Sequence, residues 1–130
     1  MQQINILAVV VAALSSFLLG GVWYSKLLFG PAWQRAAGDM RKPDAHPARV
    51  FGLSYLFALA AALAYAWLMP PPADPAAAVL QGLGVGAGVV AASFGINYQF
   101  ANRSTLLWFI DGGYHTVQFA IYGLILGLWR

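Results

Sequence analysis

A carboxylate, an imidazole, an amide and a phenol follow one another at helical spacing near the end of the chain: Asp111, His115, Gln118 and Tyr122. Steps of four, three and four residues place all four side chains on one stripe of an α-helix. A carboxylate and an imidazole one turn apart can pass a proton, hold a cationic ligand or supply two ligands to a metal. The segment that carries them, Leu106 to Trp129, has no other charged residue. It is long enough to cross a bilayer, which takes about 20 apolar residues. Asp111 lies roughly 8 Å inside that segment, where an aspartate costs about 2.5–3.5 kcal/mol on insertion scales. A polar stripe at that depth has to face protein or water. Asp111, His115, Gln118 and Tyr122 are therefore the candidate ligand-binding set. Asn97, at the end of the preceding hydrophobic segment, joins them because its amide could reach Asp111.

Each candidate has a structural alternative. Asp111 can instead neutralise Lys26, Arg49 or Arg103 and fix helix packing. Asn97 reads first as a helix-to-helix hydrogen bond worth about 0.6–2 kcal/mol. His46, between Pro43 and Pro47, reads as a solvated loop residue. A metal site lacks a third ligand, since no other acid or histidine falls in a hydrophobic segment and the chain has no cysteine. Ser15, Ser16, Ser54 and Ser93 have no base nearby in sequence, and no glycine loop cradles a phosphate. The sequence thus offers no catalytic set and no cofactor site, and leans away from an enzyme.

The elements that must position these residues are hydrophobic helices. Of 130 residues, 61% are hydrophobic and only 8% charged, against about 25% charged in a soluble domain. There is no glutamate, and the four acids are Asp39, Asp44, Asp74 and Asp111. The class expected is all-α: one domain over residues 1–130, an integral membrane bundle of four transmembrane helices at about 4–29, 49–69, 76–98 and 105–129. The first lacks the positive n-region and short core of a cleaved signal peptide and is expected to remain as an anchor. Gln34 to Met40 could form a short turn along the interface. Pro70, Pro71, Pro72 and Pro75 force a tight connection between the second and third helices.

At 100° per residue, Gly82, Gly86, Ser93 and Asn97 share one face of the third helix, and Gly84, Gly88 and Gly95 lie on the other. Small residues let membrane helices approach closely, so two such faces predict a third helix packed on both sides, at the centre of the bundle. The fourth helix has its own small stripe of Gly112, Thr116, Ala120, Gly123 and Gly127. Tyr24, Trp33, Tyr98 and Trp108 read as an aromatic belt at one interface.

Six of the seven basic residues fall between helices one and two or between three and four. The positive-inside rule then places those connections in the cytoplasm and both termini outside the inner membrane. Topology accounts for the net charge of +3, and no nucleic-acid partner is implied.

Two stretches carry a family resemblance. Gly21-Val22-Trp23-Tyr24-Ser25-Lys26 through Pro31-Ala32-Trp33, together with Arg103-Ser104 and Ile110-Asp111-Gly112-Gly113-Tyr114-His115, resemble the two signatures of a group of small membrane proteins, domain of unknown function 1761. The resemblance implies a four-helix membrane fold and brings no activity with it. The function expected from the residues is the binding or permeation of a proton or small ligand along the polar stripe. The alternatives are an accessory subunit of a larger membrane complex and, third, an enzyme acting on lipid or quinone. The expected partners are the lipid bilayer and either further copies of the chain or a larger complex.

Overall fold

The computed structural model describes residues 4–38 and 46–129. Asp39, Arg41, Lys42, Asp44 and Arg130, which the charge argument uses, lie outside them, as does Met40. All regular structure among the described residues is helical.

Local chemistry sets the helix ends. Asn5 accepts from the Ala8 amide and starts α1, Ile6–Trp23. The chain then turns back through Ser25, where the Gly30 amide donates to the Ser25 carbonyl over 3.0 Å. A Cβ at Gly30 would stand 2.8 Å from that same oxygen, so only glycine fits the turn. Pro31 then sits in the first turn of α2, Gly30–Ala37. This helix begins earlier than the interfacial turn expected from Gln34, because the glycine–proline pair is itself a helix start.

His46 Nδ1 accepts from the Ala48 amide ahead of α3, Pro47–Leu68. Asp74 caps α4, Pro75–Val85, by accepting from the Ala77 amide at 2.8 Å. A π-helical turn, Gly86–Ala91, follows directly and continues into α5, Ala92–Phe100. Ser104 accepts from the Leu107 amide to start α6, Thr105–Leu128.

Among the described residues, three helical stretches are long and apolar enough to cross a membrane: residues 6–23, 47–68 and the continuous 75–100. Their outer faces carry bare hydrophobic side chains, such as Leu18 at 76% exposure and Phe57 at 74%. α6 is not in this class, since Asp111, His115 and Gln118 lower its hydropathy.

The centre of the molecule is α6, not the third hydrophobic segment. α6 packs against α1, α2, α3, α4, the π turn and α5. Of the glycines expected to place the third segment centrally, Gly82, Gly86 and Gly95 meet α6, a Cβ on Gly95 standing 3.2 Å from Trp108 Nε1. A Cβ on Gly82 would fall on the Phe119 carbonyl oxygen, and one on Gly86 would stand 2.7 Å from Thr116 Cα. Gly84 and Gly88 face open space. The small stripe of α6 supplies the other half of this contact: Gly123 meets the Ala78 backbone and Gly127 meets Pro72. Backbones in contact are what small residues permit in a lipid-like medium. On its other side α6 buries Phe119, Tyr122 and Leu126 against Ala8, Val9 and Ala12 of α1 and Ala62 and Tyr65 of α3.

Candidate functional site

Asp111, His115, Gln118 and Tyr122 all turn into the bundle, as the helical stripe requires, but they form two separate clusters. The first is built around the carboxylate. Tyr24, just after α1, donates its hydroxyl to Asp111 Oδ1 at 2.6 Å. Tyr98 of α5 donates to Oδ2 at 2.5 Å. One carboxylate therefore joins three separate parts of the chain at one end of the bundle. Trp23 Nε1 reinforces the joint by donating to the Ile110 carbonyl at 2.9 Å. The partners of Asp111 among the described residues are thus neutral phenols, in place of the Lys26, Arg49 or Arg103 of the structural alternative.

The second cluster lies one to three turns further along α6. His115 Nδ1 lies 2.6 Å from Gln118 Oε1. Gln118 Nε2 donates to the Tyr122 hydroxyl at 3.0 Å, which donates in turn to the Ala58 carbonyl of α3 at 3.3 Å. The direction of this chain follows from its last member. A carbonyl can only accept, so Tyr122 donates to it and its oxygen receives the Gln118 amide N–H. The Gln118 oxygen then faces the imidazole, and Nδ1 must carry the proton. His115 Nε2 is left as the acceptor of a neutral ring. Phe94 at 4.9 Å and Tyr114 at 4.9 Å hold that ring edge-on. Tyr114 is fixed in turn by donating to the Ser16 carbonyl of α1 at 2.8 Å.

Asn97 does not reach Asp111. It is exposed, as is Ser93, while their neighbours Phe94 and Tyr98 face His115 and Asp111. The π turn is the physical reason. A π-helix bonds i to i+5 and inserts an extra residue into the register, so the face that starts at Gly82 and Gly86 continues to Phe94 and Tyr98. The aromatic belt is also displaced inward. Tyr24 and Tyr98 bind the carboxylate, and Trp108 Nε1 donates to the Ala91 carbonyl in the π turn at 2.8 Å.

The clusters border a run of cavities beside α3. A cavity of about 450 Å³ lies over His115 and Gln118, walled by Phe57, Ala58 and Ala61 of α3, by Val90 and Phe94, and by Ser16. A second, of about 470 Å³, adjoins it through Ser16, Phe17, Ser54 and Tyr114. A third, of about 520 Å³, contains Asp111, Tyr24, Trp33 and Gln34, and shares Tyr24, Val50 and Ser54 with the second. Ser54 lines all three. Together they make a groove along α3 from Val50 to Ala61, roughly 16 Å, with acceptors at both ends and a largely apolar wall between, broken by Ser16, Ser54 and Tyr114. Tyr122 is fully buried and holds the groove floor without lining it. Sequence reasoning missed Tyr24, Tyr98, Trp33 and Ser54 as site residues. Among the described residues, no group of three or more His, Cys, Asp or Glu side chains could hold a metal ion.

Residues 7–127 match the family described as Protein of unknown function (DUF1761), and the chain belongs to that family. No curated protein and no solved structure matches it.

Proposed function

We propose that this member of the DUF1761 family is a multi-pass membrane protein that binds a small, membrane-resident amphipathic molecule in the groove along α3. The observation that carries the reading is the sharing of Ser54 by three adjoining cavities that run from Asp111 to His115 and Gln118. Convergent polar groups in an otherwise apolar concavity are the usual form of a small-molecule site. Phe57, exposed on the outer face of α3, lines the cavity over His115. Entry would therefore be sideways, from the lipid.

In this reading α6 is the fourth span. Its 24 residues measure about 36 Å, and its polar stripe is covered by the other helices. The bundle sits in the inner membrane with both termini outside, as the distribution of basic residues favours. Binding is favoured over proton permeation because the two polar clusters share no hydrogen-bonded residue among those described.

An accessory role in a homo-oligomer or larger complex is the second reading. It is favoured by the open face of Gly84 and Gly88. The two readings are separable by filling the groove. Ser54→Phe should raise the thermal stability of the detergent-solubilised protein and abolish stabilisation by added membrane lipids, leaving its oligomeric state unchanged. Loss of self-association or of a partner in that variant, with lipid stabilisation intact, would favour the accessory role.

A further inference from the structure

Among the described residues, no basic side chain pairs with the Asp111 carboxylate. Its oxygens accept from Tyr24 and Tyr98, both neutral, while Lys26, Arg35, Arg49 and Arg103 are exposed, Arg103 lying near Tyr98. The carboxylate lines the cavity of about 520 Å³, whose walls include the rings of Tyr24 and Trp33. These two rings meet edge to face, with centroids 6.0 Å apart and planes at 82°, which makes an aromatic corner. Gln34 and Ser54 add polar atoms to the wall.

We propose that this cavity takes an organic ammonium group carried on a hydrocarbon chain, with the ammonium at Asp111 and the chain in the groove along α3. The proposal rests on the reading of the groove as a ligand site and adds the chemistry of the head. Aromatic faces attract a poorly hydrated cation through the ring quadrupole, and an adjacent carboxylate completes its charge. An anionic head is repelled by Asp111. A neutral head leaves the carboxylate uncompensated in a medium that penalises lone charges. A small metal ion demands several oxygen or nitrogen ligands, whereas an ammonium needs one carboxylate and ring faces. The hydrocarbon follows from continuity: beyond the Asp111 cavity the groove wall takes in Phe17 and Phe51, and then Phe57, Ala58 and Ala61. The indole Nε1 of Trp33, buried with no partner among the described residues, suits an oxygen placed next to the ammonium, as in a zwitterionic lipid head.

The test is titration of the full chain in maltoside micelles with four probes: dodecyltrimethylammonium, dodecanol, dodecyl phosphate and free choline. The ammonium amphiphile should bind more tightly than the alcohol or the phosphate. Asp111→Asn should weaken it about tenfold or more and leave dodecanol unaffected. Trp33→Leu should weaken it as well, and Trp33→Phe should retain most of the affinity. The helical circular dichroism of each variant shows that it is folded. Equal binding of dodecyltrimethylammonium and dodecanol, both blocked by Ser54→Phe, would overturn the ammonium assignment and leave the groove standing. Choline binding as tightly as the long-chain cation, and lost in Asp111→Asn, would support the ammonium site and overturn the lipid source. Binding of none of the four would overturn the ammonium assignment, and loss of lipid stabilisation as well would remove the groove.

Discussion

At one end of α6 Asp111 gathers hydroxyls from two other parts of the chain, whereas Gln118 and Tyr122 pass hydrogen bonds along their own helix to a single carbonyl of α3. Both clusters place polar atoms inside the helical bundle. They differ in what remains unsatisfied. The Gln118–Tyr122 chain terminates on a backbone acceptor and Tyr122 is fully buried, so that end offers the cavity only the neutral Nε2 acceptor of His115 and no charge. The Asp111 cluster satisfies its hydrogen bonds, meets no countercharge among the described residues, and faces a cavity. Polarity inside the bundle thus closes on a carbonyl at one end, and at the other leaves charge beside open space.

Replacements at the two ends should therefore act on different observables. The largest stability loss is expected for Tyr122→Ala, about 3–5 kcal/mol for emptying a fully buried aromatic site. Tyr122→Phe should cost about 1–3 kcal/mol, because the Gln118 amide loses its acceptor and the Ala58 carbonyl its donor. Unfolding in mixed micelles measures both. A stable Tyr122→Phe protein that had lost ligand binding would break the comparison.

Next in size is the close contact that holds α4 to α6. Gly82→Leu should destabilise by about 1–3 kcal/mol or more, since its first side-chain atom already meets the Phe119 backbone. Gly84→Leu, facing open space, should stay within about 0.5 kcal/mol. Equal losses at the two positions would contradict the central place of α6.

Smaller still is the stability change for Asp111→Asn, under about 1 kcal/mol. The asparagine oxygen accepts from one phenol, and the other phenol can rotate to accept from the new amide. A large loss of stability there would return Asp111 to a purely structural role. The smallest effect is expected for Asn97→Ala, within about 0.5 kcal/mol, because its side chain faces outward.

The family was legible in Trp23-Tyr24-Ser25 and in the Asp111–His115 stretch, and the all-helical class in the long apolar segments and their proline breaks. The inward turn of Asp111, His115, Gln118 and Tyr122 followed from one uninterrupted α-helix, for which angular arithmetic holds. That arithmetic failed in the third segment. The π turn at Gly86–Ala91 has no sequence rule as firm as a proline break, and it shifts the face toward α6 from Ser93 and Asn97 to Phe94 and Tyr98. The meeting of Tyr24 with Asp111 spans 87 residues and leaves no trace in periodicity. The central placing of the third segment failed for a different reason. Glycine permits a close contact but does not require one, and Gly84 and Gly88 meet nothing among the described residues.

The most direct measurement of the groove is native mass spectrometry of the protein released from lipid vesicles, wild type beside Ser54→Phe and Gly84→Leu. The account predicts a bound small amphiphile on the wild type and on Gly84→Leu, and none on Ser54→Phe. An adduct that persists on Ser54→Phe, or a wild-type protein that carries none, would contradict it.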